Sequence, residues 1–93
     1  MAKTLYMVVE RFKGGDPVRV YRRFREYGRL APEGLSYLSS WVDTNLTHCY
    51  QLMETDDRQL LEQWIAHWSD IVDFEVNPVI TSAEAADRVA PRL

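Results

Sequence analysis

Apolar and polar positions change period several times along the chain, and each change marks an element. Leu5-Tyr-Met-Val-Val-Glu-Arg-Phe12 is rich in β-branched and aromatic residues and stops at Gly14-Gly15, which predicts a first strand. Asp16-Pro17 follows, an N-cap side chain before a proline at the one helical position that needs no N–H, and predicts a helix from Pro17 to about Leu30. At about 100° per residue, Pro17, Val20, Tyr21, Phe24, Tyr27, Gly28 and Ala31 share one arc, with Arg22, Arg25 and Arg29 nearly opposite. Arg22 and Glu26 stand at i,i+4 spacing, where opposite charges attract. Pro32-Glu33-Gly34 breaks the chain. Leu35–Val42 and Thr47–Thr55 then read as strands of a hairpin joined through Asp43-Thr44-Asn45. Asp56 and Asp57 open a second helix, Asp57 to about Ser69, with Leu60, Leu61, Trp64, Ile65 and Trp68 in one arc. A fourth strand, Ile71–Ile80, alternates Val72, Phe74 and Val76 against Asp73, Glu75 and Asn77, and Pro78 near its end suits a sheet edge. Thr81-Ser-Ala-Glu84 is a capping box for a short last helix that ends at Ala90-Pro91.

The order β-α-β-β-α-β plus a C-terminal helix is that of the α+β ferredoxin-like fold, as a single domain over residues 1–93. Right-handed crossovers place the first two helices on one face of a four-stranded antiparallel sheet. The other face has no cover within the chain. Strands 1 to 3 nevertheless carry apolar residues on both sides, including Tyr6 and Val8 beside Glu10, and Tyr37 beside Trp41. In water that face would expose an apolar patch on the order of several hundred Å², which soluble monomers seldom tolerate. The expected remedy is a second copy: a homodimer with facing sheets, a dimeric α+β barrel enclosing a cavity.

At 93 residues the chain has material for one core only. Three Trp, five Tyr and three Phe mean an aromatic core, aromatic contact surfaces or both. Cys49 is the single cysteine and has no partner for an internal disulfide, and MAKTLYMVVERF lacks the apolar stretch of a signal peptide, so the cytoplasm is the expected location. No apolar run approaches the roughly 20 residues that span a bilayer, and no membrane partner is expected. The net charge is −3, but Met1–Val42 holds eight Lys and Arg against four acids, and Asp43–Leu93 three against ten. A polar chain of this kind suits pairing with itself. One basic helix face on an acidic protein reads as a solvated surface and not a nucleic-acid grip, so no nucleic-acid partner is expected; Arg22, Arg25 and Arg29 keep a narrower role as an anion or partner surface.

Four residues are candidates for a ligand wall. Glu10 shares the parity of Tyr6 and Val8. Lining a cavity, it would be partly desolvated and suited to act as a general base; at a strand end beside an arginine it would be an ordinary ion pair. Gln51, between the alternating Cys49 and Met53, could hydrogen-bond a ligand or satisfy a buried backbone group. Tyr37 and Trp41 share a parity in strand 2 and could stack on a flat ligand, or serve as core or dimer contacts. His48 and His67 do not converge with other ligands into a closed metal site, although His48 with Glu54 could meet across a dimer; no metal and no cofactor are expected. Cys49 points away from its neighbour His48 and reads as an inert thiol, and Ser36, Ser39 and Ser40 lack the setting of a nucleophile elbow.

The stretches MVVERFKGGDPVRVYRRFREYGR, SWVD, QLMETDD and WIAHWSDIVDFEVNPVITS resemble a small bacterial family with a domain of unknown function, placed in the dimeric α+β barrel group. The resemblance runs over nearly the whole chain and implies that fold and a dimer. Antibiotic-biosynthesis monooxygenases, muconolactone isomerase-like enzymes, haem-degrading enzymes and nickel-binding proteins share the fold, a breadth that leaves function to the site itself. The function expected first is binding of a small aromatic or acidic metabolite against Glu10, Tyr37, Trp41 and Gln51. The alternatives are a cofactor-independent monooxygenase or isomerase with Glu10 as base, and a structural or regulatory module that meets a partner through the arginine face.

Overall fold

β1 (Thr4–Phe12) lies in the interior of a four-stranded antiparallel sheet, between β3 (His48–Thr55) and β4 (Val72–Val79), with β2 (Ser36–Val42) outside β3. This computed structural model describes residues 2–93. α1 (Pro17–Tyr27) joins β1 to β2, α2 (Arg58–Ala66) joins β3 to β4, and α3 (Ser82–Val89) follows β4, giving the ferredoxin-like order predicted from the sequence.

Strand period assigns the faces. Val8 pairs with Gln51 and Val76, Glu10 with Cys49 and Phe74, and Phe12 with Val72, so these side chains share one face. Val20 of α1 and Leu61, Trp64 and Trp68 from α2 and the turn after it join them in a single core. Val8, Phe12, Met53, Leu61, Trp64 and Val72 are each no more than 1% exposed, a degree of burial that contributes about 1.5–3 kcal/mol per large side chain. The opposite face carries Leu5, Met7, Val9, Tyr50, Leu52 and Trp41, with the polar residues Asp73, Glu75 and Asn77 of β4 along one side.

The sequence-predicted caps form. Asp16 accepts from the Val18 N–H at 2.9 Å, Asp57 from Gln59 at 2.9 Å, and Thr81 Oγ1 from Glu84 at 3.1 Å. α1 stops earlier than its apolar arc implies. Gly28 takes a left-handed φ of 73° and its N–H closes on the Phe24 carbonyl at 2.7 Å, so the helix ends at Tyr27 instead of near Leu30. Arg29 therefore leaves the helix and does not share the water-facing stripe of Arg22 and Arg25. Arg22 and Glu26 form no ion pair among the described residues; the anchoring arginine of α1 is Arg23, whose fork meets both Asp70 oxygens at 2.7 Å and the His67 carbonyl at 2.8 Å. That guanidinium, lying over the Trp68 ring, ties α1 to the turn after α2.

β2 corrects a second expectation. Its register to β3 shifts between Tyr37 and Ser39, so that Leu38 is an extra residue. Tyr37 consequently pairs with Met53 on the helix-covered face, while Trp41 pairs with Tyr50 on the open one. The two rings do not share a side.

Gly34, in the turn before β2, has φ 96°, and a Cβ there would stand 2.7 Å from Leu60 Cδ1 of α2. Gly34→Ala is expected to lower the free energy of unfolding by about 1–2 kcal/mol, the cost of a left-handed L-residue plus a shift of Leu60. A urea titration of both proteins reads this directly; equal midpoints would show that the turn tolerates a side chain.

Candidate functional site

α1 stands off the sheet, and the gap beneath it is a partly open pocket of about 110 Å³. Its floor comes from the sheet: Glu10 and Phe12 of β1, Cys49 and Gln51 of β3, and Ser40 and Val42 of β2. Tyr21 and Phe24 form the α1 wall, with the Tyr21 ring edge-on to Phe12 at 6.3 Å between centroids. Trp64 and Trp68 close the far side, and Arg29 enters from the segment after α1.

That segment is held at one atom. The indole N–H groups of Trp64 and Trp68 donate to the Arg29 carbonyl at 3.1 and 3.0 Å, and both Gly28 and Leu30 on either side have left-handed φ values. The backbone is thereby turned so that the Arg29 guanidinium lies 3.6 Å from the Tyr37 ring centroid and 5.1 Å from that of Phe24. From this place Arg29 Nη1 donates to Gln51 Oε1 at 3.2 Å, and Gln51 Nε2 donates to Glu10 Oε2.

The donor inventory fixes the polarity of this relay. Arginine has only donors, so the amide oxygen of Gln51 must face Arg29 and its NH₂ must face Glu10. Glu10 Oε2 is then an acceptor, which favours Oε1 as the oxygen that carries the proton when the carboxyl is protonated. Oε1 has no protein partner, yet no buried side-chain polar atom is left unpaired among the described residues, so this oxygen meets the cavity. Glu10 is 4% exposed. Burial pushes its pKa from an ordinary 4.5 to about 7, against the opposing pull of the Gln51 hydrogen bond and the Arg29 charge. The site thus presents a carboxyl that gains or loses its proton near neutrality.

The neighbouring groups are quieter. Burial pushes the Cys49 thiol up to about 12, with the Glu10 charge adding to the shift, so the thiol stays protonated and is a poor nucleophile at neutral pH. Burial likewise raises Tyr21, with smaller contributions from Cys49 and Glu10. His48 lies on the other side of the sheet beside Tyr50 and the Asp43-Thr47 turn, and His67 caps α2. Among the described residues no three His, Cys, Asp or Glu side chains converge as metal ligands, and no helix is long and apolar enough to cross a membrane.

Of the four sequence-predicted wall residues, the structure joins three. Glu10 and Gln51 are hydrogen-bonded, and Tyr37 touches the same site through Arg29. Trp41 is apart, on the open face and 56% exposed. Glu10 and Gln51 look toward the helices, away from the face that would line a barrel between two sheets. Arg29, Trp64 and Trp68 were not on the predicted wall. Gly28 was the available signal for Arg29, because a glycine at this point of a helical pattern is a common stop and frees the next side chain to turn inward.

The family model described as Domain of unknown function (DUF3303) matches residues 4–93, so the chain belongs to that family. Searches of curated proteins and of solved structures each found no match.

Proposed function

We propose that this DUF3303 chain works as a homodimer that binds a small molecule in the pocket beneath α1, with Glu10 as the acid–base group of the site. The observation that carries the binding reading is a carboxyl 4% exposed, with one oxygen tied by Gln51 and the other turned into an aromatic-walled cavity. Burying such a group costs free energy, and perturbed carboxyls in clefts cluster at functional sites. At about 110 Å³ the cavity is somewhat smaller than the roughly 150 Å³ that encloses benzene, so an occupant of one ring would fill it and reach into its open side.

The dimer is supported by the open face and by the C-terminal arm. Trp41 and Tyr50 are 56% and 37% exposed there, beside half-buried Leu5, Met7, Val9 and Leu52. α3 is exposed along its length except for half-buried Ala85. The radius of gyration, 15.0 Å, accordingly exceeds the roughly 12 Å of a compact chain of this length. A second copy gives both features an apolar partner.

A second reading, an isomerase or cofactor-independent monooxygenase, is favoured by the titration of Glu10 near 7, which suits a general base at physiological pH. Binding and association are tested together. Sedimentation of the intact chain is expected to give twice the chain mass, reverting to single chains in a Trp41→Glu, Tyr50→Glu double variant. One-ring compounds are expected to alter the fluorescence of Trp64 and Trp68 in the native protein and not in Ser40→Phe, which fills the pocket from β2. Single chains in the native protein would remove the dimer, and an unchanged response in Ser40→Phe would remove the pocket.

A further inference from the structure

The pocket contains one fixed positive charge and one group that switches between hydrogen-bond donor and negative charge. Arg29 is held by its carbonyl through Trp64 and Trp68, and only one of its N–H groups has a side-chain acceptor, Gln51, among the described residues. Glu10, Gln51, Tyr21 and Ser40 supply the other polar side chains of the lining, the Ser40 hydroxyl being hydrogen-bonded to that of Tyr37 at 2.8 Å. The walls are aromatic: Tyr21 and Phe24 from α1, Trp64 and Trp68 from α2 and the turn after it.

We propose that the pocket takes a small planar monoanion of one-ring size, a carboxylate or enolate, its negative oxygen held by the Arg29 guanidinium and by a hydrogen bond donated from Oε1–H of protonated Glu10. This rests on the reading of the pocket as a ligand site and adds the chemical class of the ligand. The relay favours this donor arrangement, since Gln51 Nε2 already donates to Oε2 and leaves Oε1 the freer oxygen for the proton. A cation would meet Arg29 at close range. A neutral ring would bring no charge to meet the half-buried guanidinium.

Binding must then be linked to proton uptake. The titratable and charged groups that face Glu10 are the Cys49 thiol from β3, Tyr21 from α1 and Arg29 from the following segment, with the non-ionising Gln51 amide between Arg29 and Glu10. β4 presents Phe74 beside it, and α2 and its following turn present only Trp64 and Trp68, none of which ionises. Cys49 and Tyr21 both titrate above the neutral range, so Glu10 alone changes charge there. An anion entering the site requires its protonated form.

Benzoate, ionised throughout the range, and its neutral isostere benzamide are the probes, followed by Trp fluorescence and by calorimetry in two buffers of different ionisation enthalpy. The benzoate Kd is expected to rise about tenfold per unit above pH 7, with close to one proton taken up per benzoate at pH 8, and benzamide is expected to bind at least tenfold more weakly at pH 6. Glu10→Gln should bind benzoate with no pH dependence between 6 and 8.5. Arg29→Met should weaken it at least tenfold at every pH while keeping a slope. Should a variant fail to fold, proton uptake by the native protein decides alone. Benzoate bound without proton uptake, or benzamide bound as tightly as benzoate at pH 6, overturns the inference and leaves the pocket a ligand site. If neither probe alters the Trp signal, both readings fall.

Discussion

Trp64→Ala is expected to lower the free energy of unfolding by about 4 kcal/mol, the largest effect of any single substitution considered. Trp64 is 1% exposed, packs edge-on against Phe74 of β4 at 5.7 Å between centroids, and joins α2 to the sheet. Truncation removes that area, leaves a void among Phe12, Leu61 and Val72 that a small core cannot fully collapse, and deletes one of two N–H groups on the Arg29 carbonyl. For a domain of this size the loss corresponds to a fall of roughly 15–30 °C in melting temperature. Trp64→Phe separates packing from hydrogen bonding. It keeps most of the buried ring, and Trp68 still donates to Arg29, so its expected cost is about 1–2 kcal/mol. Denaturant titrations at one fixed protein concentration read both, since association would make stability concentration-dependent. A Trp64→Ala cost below that of Trp64→Phe would mean that the ring is not what holds α2 to the sheet.

The second large effect is a gain. Glu10→Gln is expected to stabilise the fold by about 3 kcal/mol above pH 7 and to confer none of this gain below pH 4.5. Below 4.5 the carboxyl is protonated in both folded and unfolded chains and carries no penalty. Between 4.5 and 7 the unfolded chain ionises while the folded one resists, so stability drains from the native protein as pH rises. Above 7 the folded carboxyl is ionised too, and the penalty is constant. Glutamine keeps an oxygen for Gln51 Nε2 and never ionises, so its stability profile lacks this descent. Unfolding free energies of the two proteins at pH 4, 6 and 8.5 give the difference, and parallel curves across that range would mean that Glu10 is as well solvated in the fold as out of it. Such a gain would support the proposal that Glu10 serves the pocket at a cost in stability.

The fold was readable because its signals are local. Asp16-Pro17, Asp57 and Thr81 each announce a helix by a side chain two or three residues from the N–H it caps, and Val72, Phe74 and Val76 declare a strand face by alternation alone. The site was half readable for the same reason. Glu10 and Gln51 stand out as polar residues with the parity of apolar neighbours, and a polar residue that keeps core parity is either paired or used. What was hidden depends on partners distant in sequence. The shift at Leu38 is a relation between two strands, and nothing in Tyr37-Leu38-Ser39-Ser40 marks it, so Tyr37 and Trp41 were placed together. Arg29 was hidden by the strength of the arc before it. Gly28 fits the apolar face by angle, and that fit masked the helix stop which a glycine with positive φ makes there.

The margins of the sheet bear on how copies of the chain can meet. β2 is irregular at Leu38, and β4 carries Pro78, which has no N–H to offer. An outer strand recruits another chain through an even ladder of donors and acceptors, and both margins carry an interruption of it. Each interruption works against growth by adding strand to strand, the route to fibrils.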